Sequence, residues 1–495
     1  MKIYKNINLK SISTVVLTGA LLCTTSCKKS FLNVPPQAQQ PSVTFWKTQD
    51  DATAAVNAIY GNLRSWANTA FPAIAIESMG GDDAEKGSSA NDSSYMNSYD
   101  GFTVTSTEGQ LQGFWQGQYQ NINLCNQVLD NVPNISMDQN LKTRYLAEAK
   151  FVRAYSYFRL VRAFGDVPLR LTVPKDASAF NIPRTPKAQV WAAIEKDLAD
   201  AEAVLPQTYP ASDVGRATKG SALALHAKVA MYQKKWDQVL SLTNSVMTLG
   251  YSLVSDFEAL FRLNNENSKE SVFEIQCDYR PDIKDASNSQ YAQVQGVRAQ
   301  QGYWGFNVPT QALVNAFEAG DPRKDATILF VGTTTIQGDA ITSVAGDPTM
   351  YNHKAYVPFN TPYDNNNPRG SQQNVRVLRY ADVLLMNAEA ANELGNSAQA
   401  ISSLEVVRAR ARQGNAAILP KVTSTDQGVL RTAIYHERQV ELAMEYDRYF
   451  DVIRQGRGTA VFGPKGWKAG KNEVWPIPQS EIDLSVGVLT QNPGY

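Results

Sequence analysis

The chain has 495 residues, 43% of them hydrophobic and 19% charged, with 47 basic side chains balanced by 47 acidic ones. That balance leaves no broad electrostatic footprint for nucleic acid. The three histidines have no metal-site partners at zinc spacing, and no GxSxG elbow, P-loop or dinucleotide fingerprint occurs.

Residues 1–26 read as a lipoprotein signal peptide. Lys2, Lys5 and Lys10 make a basic flank, residues 12–22 are mostly apolar, and Thr24, Thr25 and Ser26 form a small-residue box. The apolar run is shorter than the ~20 residues that cross a bilayer. A cleavage site ending directly before Cys27 resembles the bacterial lipobox, a resemblance that implies lipidation at Cys27, with Cys23 a second candidate. Each buried CH₂ contributes about 0.8 kcal/mol, so two or more acyl chains hold a protein to a membrane without a spanning segment. Removing residues 1–26 takes three lysines and no acid, leaving 469 residues (495 minus 26) with 44 basic and 47 acidic side chains.

Helical periodicity dominates the rest. An early helical region is expected at about 47–66 and 116–131. In the run 141–168, Tyr145, Ala149, Val152, Tyr155, Phe158 and Val161 recur at steps of three and four and build one apolar face, which Gly165 and Pro168 terminate. A second helix starts after Pro186 and runs to about Leu205. The segment 217–250 reads as helix, turn at Lys234–Lys235, helix, with Gly250 at the end and Ala222, Ala224, Ala227 and Ala230 permitting close approach. Another pair follows at 378–412, where Gly395 ends the first helix and Ser397 caps the second. Helical repeats therefore occupy about 47–66, 116–263 and 376–456, as antiparallel pairs similar to tetratricopeptide units. The expected fold is mainly α, a superhelix of helix pairs with one loop-rich, irregular face. The excursions at about 67–115 and 264–375 are rich in Asn, Ser, Gly, Gln and Tyr, and loops of that length are usually kept for binding. The C-terminal WPIPQSEIDLSVGVLTQNPGY reads as mostly extended. Cys125 and Cys277 both read as small buried hydrophobes, and a bridge between them stays open.

Four stretches carry a family resemblance: LAEAKFVRAYSYFRLVRAFGDVPL, VRVLRYADVLLMNAEAANELGN, YHERQVELAMEYDRYFDVIRQGR and VWPIPQSEIDLSVGVLTQNPGY. With PTQALVNAFEAGDPRKDATILF, and FLNVPP just after Cys27, they resemble the SusD/RagB family over residues 27–495. The resemblance implies an outer-membrane lipoprotein of four helix pairs, anchored through Cys27 and facing the exterior. It implies a partner, a SusC-like TonB-dependent transporter barrel that the protein caps as a lid. It implies capture of oligosaccharides, or in some members peptides, without chemistry on them and without a cofactor.

A sugar presents an apolar C–H face and a hydroxyl rim, so a binding site needs an exposed aromatic ring bordered by amides or carboxylates. The strongest candidates are Trp304, Tyr303 and Asn307 in QGYWGFNVPT, where Gly302 and Gly305 favour a turn tip. Tyr279 (beside Arg280 and Asp282), Tyr99 in SYMNSYDGF and Trp66 in RSWANT come next, whereas Trp115, Trp191, Trp236 and Trp475 read as packing. These loops are mostly neutral, which favours a neutral glycan over a peptide. Asp82, Asp83 and Glu85 permit a structural calcium, but their spacing lacks the alternation of a calcium loop and a solvated acidic turn is the plainer reading. A glycoside hydrolase would need two carboxylates about 5–5.5 or 6.5–9.5 Å apart. Glu437, Glu441 and Glu445 share a helical face, yet Arg438, Arg448 and Arg454 lie among them and would lower the pKa that a general acid needs raised.

Overall fold

The structure, a computed structural model, describes residues 45–176, 179–280, 288–298, 300–362 and 370–495. The signal segment, Cys27, FLNVPP, Asp282 and most of the run DNNNPRG lie outside the described residues.

Four antiparallel helix pairs stack in chain order. The first is α1 (Gln49–Leu63) with α2 (Gly109–Asn131), and the second α3 (Gln139–Phe164) with α4 (Lys187–Glu202). The third is α5 (Lys219–Tyr232) with α6 (Trp236–Met247), and the fourth α7 (Tyr380–Glu393) with α8 (Ser397–Arg412), against which α9 (Gln427–Leu442) packs. Sequence-local chemistry starts these helices. Thr48 and Asp51 form a capping box on α1, the Asp138 carboxylate accepts the Leu141 N–H at 2.8 Å on α3, and Thr218 with Ser221 boxes α5. The α8 cap is Asn396, whose side chain accepts from Gln399 N–H, and not Ser397, which is already the first helical residue.

Helices with one apolar stripe lie outside, and those buried all round lie inside. On α1 only Ala52, Val56, Ile59 and Leu63 are buried, at steps of three and four. On α5 every residue from Gly220 to Met231 is buried, and on α7 every residue from Tyr380 to Asn392. The alanines at 222, 224, 227 and 230 are fully buried where α4, α6 and α7 close around α5.

The two excursions are less loose than composition suggests. Three two-stranded antiparallel ribbons tie them down. In the first, β1 (Ala84–Gly87) pairs with β3 (Phe306–Pro309), joining one excursion to the other with Gly87 opposite Phe306. In the second, β2 (Ser271–Ile275) pairs with β6 (Val375–Arg379) and closes the base of the longer excursion. In the third, β4 (Ile328–Phe330) pairs with β5 (Met350–Asn352). The first excursion also holds a short helix, Phe71–Glu77, buried at every residue, and the C-terminal tail carries the helix Gln479–Leu484 in place of a wholly extended run. That tail is locked down by Trp475, which is fully buried and donates its indole N–H to the Ile76 carbonyl at 3.0 Å. Cys125 and Cys277 are free thiols.

Candidate functional site

Trp66 opens the short helix Trp66–Thr69, directly after α1, and Trp304 lies on the turn that enters β3. Their ring centroids are 6.0 Å apart with planes inclined by 58°, so the two indoles form an open corner. Phe71 lies behind both, 5.2 Å from Trp66 and 5.7 Å from Trp304, and Phe306 packs on Phe71 at 4.6 Å. Phe71 and Phe306 are buried pillars, whereas Trp66 keeps 37% of its surface exposed and Trp304 is half-buried.

A buried polar network sets the position of Trp66. Asn68, two residues on, donates to the Asn62 carbonyl at 2.9 Å and to Ser65 Oγ at 3.0 Å. Its Oδ1 accepts from Gln118, Asn121 and Arg159 at 2.9, 3.1 and 3.0 Å. Arg159 in turn donates to Glu77 at 3.0 and 2.5 Å. Burial alone would raise the Glu77 carboxyl pKa, but the guanidiniums of Arg159 and Arg162 hold it below the usual range, so the ion pair stays charged and rigid. The Trp304 turn is pinned by its N–H, which donates to the Gln293 carbonyl at 3.0 Å, and Gly302 and Gly305 take φ of 75° and 72° on either side of the Tyr303–Trp304 pair.

A solvent-open groove of about 350 Å³ runs beside Trp66, lined by Asn62, Arg64, Ser65, Leu124, Asn288 and Gln290. One wall is therefore aromatic and the rim is amide, hydroxyl and guanidinium. Sequence reasoning missed Asn62, Arg64, Asn288 and Gln290. Asn62 lies in the last turn of α1, four residues before Trp66, but nothing local points to Asn288 or Gln290, which arrive from the longer excursion.

The remaining sequence candidates fall elsewhere. Tyr99 is fully buried and packs at 5.6 Å on Trp475, so it is core and not ligand contact. Asn307 is fully buried as well. Its Nδ2 donates to Gln295 Oε1 and its Oδ1 accepts from Ser78 Oγ, both at 2.8 Å, which makes it a support for the Trp304 turn. Tyr303 is 6% exposed and faces inward, while its neighbour Trp304 is half-buried. Tyr279 is half-buried just after β2 and has no ring contact with the Trp66–Trp304 corner among the described residues.

The acidic run is not a solvated turn. Asp82 is held by Arg448 at 2.6 and 2.8 Å, and Asp83 is buried and accepts from Gln439 Nε2 at 2.8 Å. Among the described residues no three His, Cys, Asp or Glu side chains converge as metal ligands. The carboxylates of Glu437 and Glu441 are wholly buried and that of Glu445 nearly so. Arg323 reaches Glu437 at 2.5 Å and Glu441 at 3.1 Å, Arg379 and Arg410 reach Glu441 at 3.0 and 2.5 Å, and Lys354 reaches Glu445 at 2.7 Å. Burial works to raise the Glu441 pKa, but Arg410, Arg379 and Arg323 overcome it and drive it well below the carboxylate range. A group so placed neither reaches a substrate nor holds a proton to give.

The fold and the corner define a helical-repeat protein that offers an exposed aromatic platform from loops braced on its core. Comparison with known proteins agrees on the fold. The family model described as SusD family matches residues 269–495, and that described as starch-binding associating with outer membrane matches residues 30–231. SusD-like protein P2 of Formosa agariphila is 30% identical over 485 residues, covering 91% of this chain and 94% of its own. A SusD-like protein of Bacteroides ovatus is 25% identical over 485 residues, covering 90% and 82%. Among solved structures, a laminarin binding SusD-like protein superposes with a TM-score of 0.79 at 30% identity, over 91% of this chain and all of its own. Surface glycan-binding protein A from Bacteroides thetaiotaomicron, in complex with laminarihexaose, shares the fold with a TM-score of 0.77 at 22% identity, over 90% of this chain and 100% of its own. The chain belongs to the SusD family. No helix among the described residues is long and apolar enough to cross a membrane.

Proposed function

We propose that this protein captures neutral glucan oligosaccharides on the Trp66–Trp304 corner and passes them to a TonB-dependent transporter in the outer membrane, to which acyl chains on Cys27 hold it. The observation that carries the reading is the indole pair itself. Two rings meet at an open angle, one of them more than a third exposed, beside a groove rimmed by amides. An indole covers the C–H face of a pyranose, and neutral amides meet its hydroxyls without the desolvation cost of a charge. The similarity to a laminarin binding SusD-like protein supports a neutral glucan in particular. Hydrolysis finds no support, since the carboxylates that share a helical face are sequestered in ion pairs. The testing experiment is calorimetric titration with laminarin, starch, charged glycans and peptides, with each mixture then analysed for cleavage products. Laminarin or starch is expected to bind and come through uncut. Binding of peptides alone, or the appearance of shortened glycans, would overturn the reading.

A further inference from the structure

Trp304 and part of the groove's rim share one pedestal, the short helix Tyr291–Gln295. Asn288, Ser289 and Gln290 run into it and line the groove. The Gln293 carbonyl on it accepts the Trp304 N–H at 3.0 Å. Tyr303 seats against Gly296 just after it, where a side-chain carbon would stand 2.6 Å from the Tyr303 ring. Gln295 closes the pedestal, fully buried and outside the groove's lining. Its amide has two donors and two acceptor lone pairs, and all four are used. Nε2 donates to the Tyr291 carbonyl at 3.1 Å and to the Tyr446 hydroxyl at 3.2 Å, and Oε1 accepts from Asn307 Nδ2 at 2.8 Å and from Asn352 Nδ2 at 2.9 Å. One side chain therefore ties the pedestal to β3, to β5 and to the segment after α9. Two of these partners lie in the left-handed region, Asn307 at φ 54° and Tyr446 at φ 72°, and a tyrosine stays there only where its surroundings fix it.

We infer that Gln295 is a positioning residue for ligand capture, holding Trp304 and the Asn288–Gln290 rim, as one unit, in place against Trp66. The inference rests on the proposed glucan-binding role of the Trp66–Trp304 corner. Connectivity carries it. From Gln295 the bonds pass to Asn307, whose Oδ1 accepts from Ser78 Oγ at 2.8 Å. Ser78 directly follows the short helix Phe71–Glu77, and Phe71 lies behind both indoles. The relay Gln295–Asn307–Ser78 thus joins the half of the corner that carries Trp304 to the half that carries Trp66. The other inward contacts of the pedestal do a different job. Ala292 and Val294 are fully buried, but apolar burial has no direction and lets a short helix slide. Hydrogen bonds weaken steeply off their axis, so four of them on one buried amide fix a position. A fully satisfied buried network also specifies one arrangement, because breaking it leaves each former partner unpaired away from water.

The experiment compares Gln295→Met with Asn387→Leu in the full mature chain. Asn387 on α7 is also fully buried with all four amide hydrogen bonds made, to Thr243, Asn244, Gln399 and Ser403, so its loss disrupts a like network on other elements. Affinity for laminarihexaose and maltohexaose is measured by calorimetry well below each melting point. The fluorine NMR resonance of Trp304 is read without ligand in protein labelled with fluorotryptophan, assigned through Trp304→Phe. Gln295→Met is expected to lower affinity about five-fold or more and to shift the Trp304 resonance. Asn387→Leu is expected to lower the melting temperature and leave both readouts at the wild-type value. Ser78→Ala, which cuts only the last link of the relay, is expected to move both readouts the same way, with affinity down about two-fold, and it decides the question where Gln295→Met does not fold. Wild-type affinity in the deciding variant would overturn the inference, and so would an equal loss in Asn387→Leu, since affinity would then follow overall stability. Trp66→Ala separates this from the underlying reading. If it abolishes binding while Gln295→Met and Ser78→Ala do nothing, the corner stands and the positioning role falls. If Trp66→Ala leaves affinity intact, or the wild type binds neither sugar, the corner falls and the positioning role with it.

Discussion

The Trp66 indole lies 6.0 Å from that of Trp304, although one follows α1 and the other lies on the turn that enters β3, and Phe71 packs against both. This separates their roles. Trp66 is the more exposed and contributes mainly to ligand, so Trp66→Ala is expected to weaken glucan binding at least ten-fold, about 1.4 kcal/mol or more, with a change in unfolding free energy below about 1 kcal/mol. Trp304 is half-buried on Phe71, so Trp304→Ala is expected to lose a similar affinity and about 1–2 kcal/mol of stability as well. Titration calorimetry and urea melts on the two variants read both effects, and a Trp304 variant as stable as the wild type would place its ring outside the core.

Gly117 on α2 lets the helix that carries Trp66 approach closely. A side-chain carbon at position 117 would stand 2.5 Å from the Ala67 methyl, next door to Trp66, a separation that packed atoms do not tolerate. Gly117→Ala is therefore expected to push the Trp66 helix outward and to cost about 1–3 kcal/mol by overpacking. The same variant should lower glucan affinity without touching ligand, and the coupling is checked by measuring affinity at a temperature well below its melting point. A variant that binds normally would show that the platform tolerates displacement.

Much of this fold was legible in sequence because a helix announces itself locally. The spacing of Tyr145, Val152 and Phe158, the small-residue run in α5 and the turn at Lys234–Lys235 each report on neighbours a few residues away. The site was legible only in part. Trp66 and Trp304 keep part of their surface open, yet the aromatic Tyr303 and Tyr99 and the amide of Asn307, equally suited to a sugar by residue type, are buried. Which way a loop side chain faces depends on partners far along the chain, such as Trp475 for Tyr99 and Ser78 for Asn307, and no local period encodes them. The acidic run at 82–85 misled for the same reason, because Arg448 and Gln439, which pair with it, are contributed by the C-terminal region.

Glu441 lies at the centre of a buried ion cluster, contacting Arg379 at 3.0 Å, Arg410 at 2.5 Å and Arg323 at 3.1 Å. Removing its charge leaves three guanidiniums under-compensated in a site with no water access. Glu441→Gln is expected to cost about 3–5 kcal/mol of stability, seen as a large drop in the urea midpoint. A catalytic acid would behave differently, giving a folded, binding-competent protein that had lost a hydrolytic activity.

The proposed membrane attachment can be tested apart from the proposed ligand capture. Cys27→Ser removes the only expected acylation site after the signal segment. No helix among the described residues is long and apolar enough to replace the acyl chains, and a single chain is already marginal where stable anchoring needs more. The variant is expected to leave the membrane fraction and to lose incorporation of labelled palmitate, while its glucan affinity in solution stays at the wild-type value. Retention of the label would move the anchor to Cys23.

Asp83 gives a pH dependence opposite to that of Glu441 and Glu445. Burial pushes its carboxyl up to about 7 from 3.8, against the pull of Arg448, and the neighbouring Asp82 adds to the rise. Its Oδ2 is buried without a hydrogen-bond partner among the described residues, as suits a protonated acid better than a carboxylate. The folded state therefore holds this proton more tightly than the unfolded chain does. The resulting stability is complete below pH ~3.8 and is lost as pH rises through ~7, on the order of a few kcal/mol. Glu441 and Glu445 have lowered pKa values, so their contributions run the other way, present above the ordinary carboxylate range and lost on acidification. Asp83→Asn keeps a neutral amide at the site and isolates the term. The difference in unfolding free energy, wild type minus variant, is expected to fall steadily between about pH 4 and pH 7 and to level off above. A flat difference across that range in urea melts would mean that Asp83 is ionised in the fold, with Arg448 outweighing its burial.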